Sequence, residues 1–126
     1  MVEFGKIQSE EKNVMKVITD ITEALRKQDL DAYMSGFHKD VIVARQRVTL
    51  LEGIDQWRKS MENDISNSII VNYDRIHLKV SDSCDWAYCV ADFNYIQGNV
   101  EGYEKMHVTL RKYGDWWKIV AFSLVH

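Results

Sequence analysis

The residues best suited to chemistry in this 126-residue chain sit on its C-terminal half and around one short turn. Asp92 and His107 are a carboxylate and an imidazole on two segments that read as neighbouring strands. A histidine titrating near neutral pH beside a carboxylate can relay a proton. The same pair can equally serve a hydrogen-bond network at an interface. Arg45 and Arg47 flank a polar turn. They could hold an anionic group on a ligand, or simply be solvated. Cys84 and Cys89 lack the close spacing and the histidine companions of a zinc site, and they read as reduced thiols. His38, His77, His107 and His126 form no i, i+4 pair, so no metal is expected. The six glycines build no phosphate-cradling loop, and Ser123 has no G-x-S-x-G context. The chemistry open to the chain is therefore cofactor-free acid–base work, or binding alone.

Composition narrows the class further. The chain is 46% hydrophobic and 28% charged, with net charge −3, no proline, four tryptophans, six tyrosines and four phenylalanines. That is a globular composition of single-domain length, so one domain over residues 1–126 is expected. The mildly acidic balance argues against a nucleic-acid partner. No apolar run is long enough for a membrane span, and the first dozen residues carry no apolar leader. A cytoplasmic protein with no nucleic-acid and no membrane partner is the expectation.

The elements that must position these residues read as helices first, then strands. Ile7, Val14, Ile18, Ile21 and Leu25 form one stripe on a long helix starting near Ser9 or slightly earlier. Glu23 and Lys27 are spaced for a helical ion pair. Asp29 is the N-cap of a short helix with Leu30, Tyr33, Met34 and Phe37 inward, fraying at Gly36 and His38. Two short strands, Val41–Ala44 and Val48–Leu51, flank the arginine turn. Gly53 opens a third helix lined by Ile54, Trp57, Met61 and Ile65, which ends in a loop from Asn63 to Ser68. From Ile69 the pattern is β. Ile76, Leu78 and Val80 alternate with His77 and Lys79, then turns at 81–85, Gly98-Asn99 and Gly114-Asp115 separate three more strands. The result is an α+β meander: three helices from the N-terminal half packed on a strongly bent, mostly antiparallel sheet.

Five segments resemble the nuclear transport factor 2-like superfamily, and within it the SnoaL-like group. They are the helix junction Gln28–Tyr33, the turn His38–Val43, the helix entry Gly53–Trp57, the terminal hairpin Tyr113–Val120 and Ser123. The resemblance implies a cone with an apolar pocket at its open end, a small hydrophobic or aromatic ligand or a protein partner, and a homodimer. It also implies a relation to ketosteroid isomerase, which needs a tyrosine on the first helix and a base after the first strand. Those positions fall on Ile21 and near Arg45, and neither can do that work. The isomerase reaction is not expected unless a carboxylate reaches in from elsewhere.

Strand alternation assigns the faces. Ala87, Cys89, Ala91, Phe93 and Tyr95 go to the concave face, and Trp86, Tyr88, Val90, Asp92 and Asn94 to the other. The expected pocket lining is Tyr33, Phe37, Arg45, Trp57, Met61, Tyr73, Phe93, Tyr95 and Trp117. Trp86, Tyr88, Val90, Arg111, Val120, Phe122 and Leu124 compose an expected sheet-to-sheet dimer interface, with Asp92 and His107 nearby. The leading expectation is a small-ligand protein without a cofactor, capable of isomerase-, cyclase- or dehydratase-type proton transfer. The alternative is a non-catalytic dimerisation or protein-binding module that works through the outer sheet face.

Overall fold

The computed structural model describes residues 4–45 and 49–125. Helix α1 (Phe4–Lys27) buries Val14, Ile18, Ile21 and Ala24 along one stripe. It begins earlier than Ser9, and its last turn carries Arg26 and Lys27, which suit the negative end of the helix dipole. Gln28 ends it at φ 59°. Asp29 caps α2 (Leu30–Met34) by accepting the Ala32 amide at 3.1 Å. Helix α3 (Ile54–Asp64) starts from Gly53 at φ 90°, a conformation that suits glycine, and buries Trp57 and Met61.

The strands are β1 (Phe37–Arg45), β2 (Leu51–Glu52), β3 (Ile69–Val80), β4 (Trp86–Gln97), β5 (Val100–Tyr113) and β6 (Trp116–Val125). They form a six-stranded sheet in the order β2-β1-β6-β5-β4-β3. All pairings are antiparallel except β1 with β6. The β4–β5 and β5–β6 hairpins turn on Gly98 and Gly114, at φ 60° and 62°. Residue Phe37 belongs to β1, not to a fraying helix end, and β1 is longer than the apolar run Val41–Ala44. Strand β2 has only two residues. Arg47, Val48 and His126 lie outside the described residues.

Three register shifts bend the sheet, as bulges do: in β1 between Phe37 and Ile42, in β3 between Asp74 and His77, and in the β5–β6 ladder beyond Thr109. In β3, Arg75 takes φ 53° and Ile76 is left exposed, so the alternation Ile76–Leu78–Val80 does not hold at its first member. In β6, Thr109 pairs with Ala121 but Leu110 with Ile119, which leaves Val120 as the extra residue. Trp117 and Ile119 face the helices on one side of that bulge, and Phe122 and Leu124 do so on the other.

The helices cover the concave face. Among the described residues no helix is long and apolar enough to cross a membrane.

Candidate functional site

Between α1, α3 and the concave face of β3–β6 lies a cavity of about 150 Å³. Its deeper wall is aromatic. Trp57 is fully buried, 6.0 Å from the Tyr33 ring centroid and 5.9 Å from that of Phe122. Phe93 lies 6.1 Å from Tyr73 and 6.2 Å from Tyr95. Ile21, Leu25, Met61, Val71, Met106 and Leu124 complete the apolar surface.

The polar groups are few. Arg45 Nη1 lies 3.0 Å from Asp64 Oδ2 and 3.3 Å from Ser60 Oγ, with its guanidinium 5.8 Å from the centre of the Trp57 ring. Asp64, the last residue of α3, shares a helix face with Ser60 and Trp57 one and two turns before it. The Thr22 hydroxyl donates to the Ile18 carbonyl at 2.7 Å, so at 2.6 Å it accepts from Tyr73. Glu104 reaches the cavity from β5, and its carboxylate lies beside the Tyr95 hydroxyl. Burial raises the Tyr33, Tyr73 and Tyr95 hydroxyls above the ordinary tyrosine range, and for Tyr95 the Glu104 charge adds to it. All three are therefore neutral donors at physiological pH. The Trp57 indole N–H is buried with no acceptor among the described residues.

Tyr95 owes its place to Gly102, its cross-strand partner. A Cβ built on Gly102 would sit 2.1 Å from Tyr95 Cζ, so the ring lies across bare backbone. Any side chain at 102 would push Tyr95 away from Glu104.

The structure brings Tyr33, Arg45, Trp57, Met61, Tyr73, Phe93 and Tyr95 around the cavity. Phe37 and Trp117 are not in its wall. Phe37 packs into the core against Tyr33, Trp57 and Phe122. Trp117 donates to buried Glu10 at 3.3 Å, beside a 2.6 Å Lys112–Glu10 ion pair that ties α1 to the far end of the sheet. Burial alone would raise the Glu10 carboxyl, but bonds from Lys112 and Asn13 outweigh it and hold it below the ordinary range. Phe122 and Leu124 correct the expected outer-face patch: the Val120 bulge shifts their alternation by one residue and turns both into the cavity. Arg45 is not a free anion anchor, because Asp64 already answers its charge.

Asp92 and His107 lie on the convex face, outside the cavity, with Trp86, Tyr88 and Val90. Asp92 faces Arg75 at 3.8 Å. The Arg111 guanidinium lies 5.1 Å from the Trp86 ring and 5.5 Å from the Tyr113 ring, and His38 stacks on Tyr113 at 4.5 Å. Sequence reasoning missed Thr22, Asp64, Gln97 and Glu104 in the cavity wall. Glu104 was detectable, since it is in phase with Met106, Val108 and Leu110. Cys84 and Cys89 are buried and free.

A cone-shaped α+β sheet with helices over its concave face and a cavity beneath them defines a class, and comparisons assign the family. The model of the SnoaL-like domain matches residues 14–124, and the chain belongs to that family. No curated protein matches it. Among solved structures it is similar to an NTF2-like protein of unknown function from Pseudomonas putida KT2440, at 13% identity and TM-score 0.84, covering 94% of this chain and 87% of that one. A proposed dehydratase of the NTF2-like family from Streptomyces avermitilis gives 16% identity and TM-score 0.82, covering 93% and 95%. A proposed scytalone dehydratase from Novosphingobium aromaticivorans gives 17% and 0.81, covering 93% and 83%. At these identities the likeness is one of fold.

Proposed function

We propose that this SnoaL-like protein binds a small, mostly apolar molecule in its cone and that the site is equipped for cofactor-free proton transfer of isomerase, cyclase or dehydratase type. The observation that carries the reading is the cavity itself: apolar and aromatic walls on which a few supported polar groups converge. Glu104, beside Tyr95 in the cavity wall, is the group suited to accept a proton, and the neutral tyrosines are suited to donate hydrogen bonds. Glu104 thus takes the role that neither Ile21 nor Arg45 can fill. The dehydratase descriptions of two structural neighbours point the same way. Free buried thiols agree with a reducing, cytoplasmic setting. A thermal-shift screen of steroid-like, polyketide-like and single-ring aromatic compounds tests the proposal. A stabilising compound whose effect disappears in Val71→Phe, which puts a ring inside the cavity, is the expected result. A null across every class would overturn it.

The convex face supports a second reading, a homodimer formed sheet to sheet. Trp86 and Tyr88 are 42% and 43% exposed there. One end of this face carries Arg111 and Lys79, the other Asp74 and Glu101. A twofold axis lying in the interface, perpendicular to the strands, would set unlike ends against each other. Sedimentation of a monomer at micromolar concentration would remove this reading and leave the first intact.

A further inference from the structure

The cavity's size and charge together select a class of ligand, an argument that rests on reading the cavity as the ligand site. Its volume of about 150 Å³ is well below the roughly 300 Å³ at which drug-sized pockets begin. Apolar cavities near this size hold one benzene ring. At the interior packing density of about 0.75 such a space seats roughly 110 Å³ of ligand atoms, room for one substituted ring and too little for fused rings. The walls suit a ring, for Trp57 from α3, Phe93 from β4 and Phe122 from β6 all line the cavity.

Charge decides the substituent. Arg45, Asp64 and Glu104 are the ionised side chains among the described lining residues. Arg45 and Asp64 cancel as a pair 3.0 Å apart, which leaves Glu104 as the uncompensated charge. A ring carboxylate would bring a second negative charge beside Glu104 between apolar walls. An ammonium group would answer Glu104, but only by moving a strongly hydrated charge out of water and between aromatic walls. A neutral hydroxyl meets neither objection. A carboxylate offers about four acceptor positions, so Glu104, which lines the cavity, can accept a ligand O–H.

We infer that the cavity takes a neutral, hydroxyl-bearing single six-membered ring, of which phenol is the simplest, its O–H donated to Glu104, and that it turns away ring carboxylates and fused-ring molecules. The test is calorimetric titration of the full chain with phenol, benzoate and 2-naphthol. Phenol should bind with Kd on the order of 0.1–1 mM, as suits so small a ligand. Benzoate should bind at least tenfold more weakly, and 2-naphthol not at all. Glu104→Gln keeps the shape and removes the charge, so phenol should weaken about tenfold while benzoate gains. Asp64→Asn frees Arg45 from its counter-ion and should admit benzoate by a separate route, which keeps the charge argument testable if the Glu104 variant does not fold. If benzoate matches phenol in the parent chain, or neither variant changes their ratio, the charge argument is wrong. Should 2-naphthol bind more tightly than phenol, with the binding lost in Val71→Phe, the single-ring class fails and the ligand-site reading stands. Binding of none of the three, together with a null in the broader screen, would remove both.

Discussion

On β4, neighbouring residues lead opposite lives. Ala87, Cys89, Ala91 and Phe93 are buried under the helices, while Trp86 and Tyr88, the larger aromatics of the strand's first half, stand against solvent on the convex side. The concave face uses its aromatics as structure: Trp57, Phe37, Tyr33 and Phe122 touch one another and also form or support the cavity wall. The convex face uses its aromatics as platforms, with Arg111 between Trp86 and Tyr113. Burial is thus concentrated around the cavity, and the same side chains that line it also hold the fold. Changes to the cavity should be expensive in stability, and changes to the convex face should not.

The widest gap between the faces should come from two tryptophans. Trp57→Ala removes a side chain with no solvent exposure and should cost about 3–5 kcal/mol in denaturant unfolding. Trp86→Ala should cost about 1 kcal/mol or less, mostly the lost contact with Arg111. Equal costs would mean that the convex face is as much a core as the concave one.

Next is the ion pair that fastens α1 to the far end of the sheet. Glu10→Gln should cost about 1.5–3 kcal/mol near neutral pH, because Lys112, Asn13 and Trp117 all bond that carboxylate. Its sign with pH follows from a folded-state pKa held below the ordinary value of 4.5. The carboxylate's contribution is present above that value and is lost as pH falls through the lower, folded one. The parent and Glu10→Gln curves should therefore converge under acid, in a pH series of urea melts. A gap that widens on acidification would contradict the assignment.

A smaller effect, confined to the cavity wall, is expected of Gly102→Ala. The new Cβ cannot share space with the Tyr95 ring, so the ring must move, at about 1–3 kcal/mol. Phenol binding should weaken as well, because Tyr95 no longer steadies Glu104. A variant that keeps both parent stability and phenol affinity would show that Tyr95 has no positioning role.

The two faces also differ in how far they could be read from the sequence. Helical stripes, the Asp29 cap and the glycine turns carry local signals, and so does strict alternation on β4, where Ala87 through Tyr95 fall as their types demand. What could not be read is where alternation slips. Nothing in Val120-Ala121-Phe122 marks Val120 as an extra residue, because both phases of β6 are apolar. The bulge is a property of the paired ladder, set by strain between strands. Reading through it moved Phe122 and Leu124 to the wrong face, just as reading through the β3 bulge misplaced Ile76. The cavity carboxylates are hard to bring together for a different reason. Asp64 falls in the segment that reads as a polar loop, and Glu104, though in phase with Met106, Val108 and Leu110, lies far from it along the chain. Only the fold shows that both ends converge.

The smallest expected effect bears on Asp92 and His107, the pair that invited a proton-relay reading. They occupy diagonal positions on β4 and β5, since Asp92 pairs with Lys105 and Val90 with His107. Because side chains alternate strictly along each strand here, with no bulge in the β4–β5 ladder, both project from the convex side, and the sheet itself separates them from the cavity. A proton cannot pass from either to a cavity ligand without a path through the backbone. Asp92→Asn and His107→Gln, singly or together, should change stability by no more than about 0.5 kcal/mol and phenol affinity by less than twofold. Neither is part of the cavity wall, so a tenfold loss of phenol binding in calorimetry could not be explained by contact. It would mean that ligand binds on the convex face, and it would transfer the functional assignment from one side of the sheet to the other.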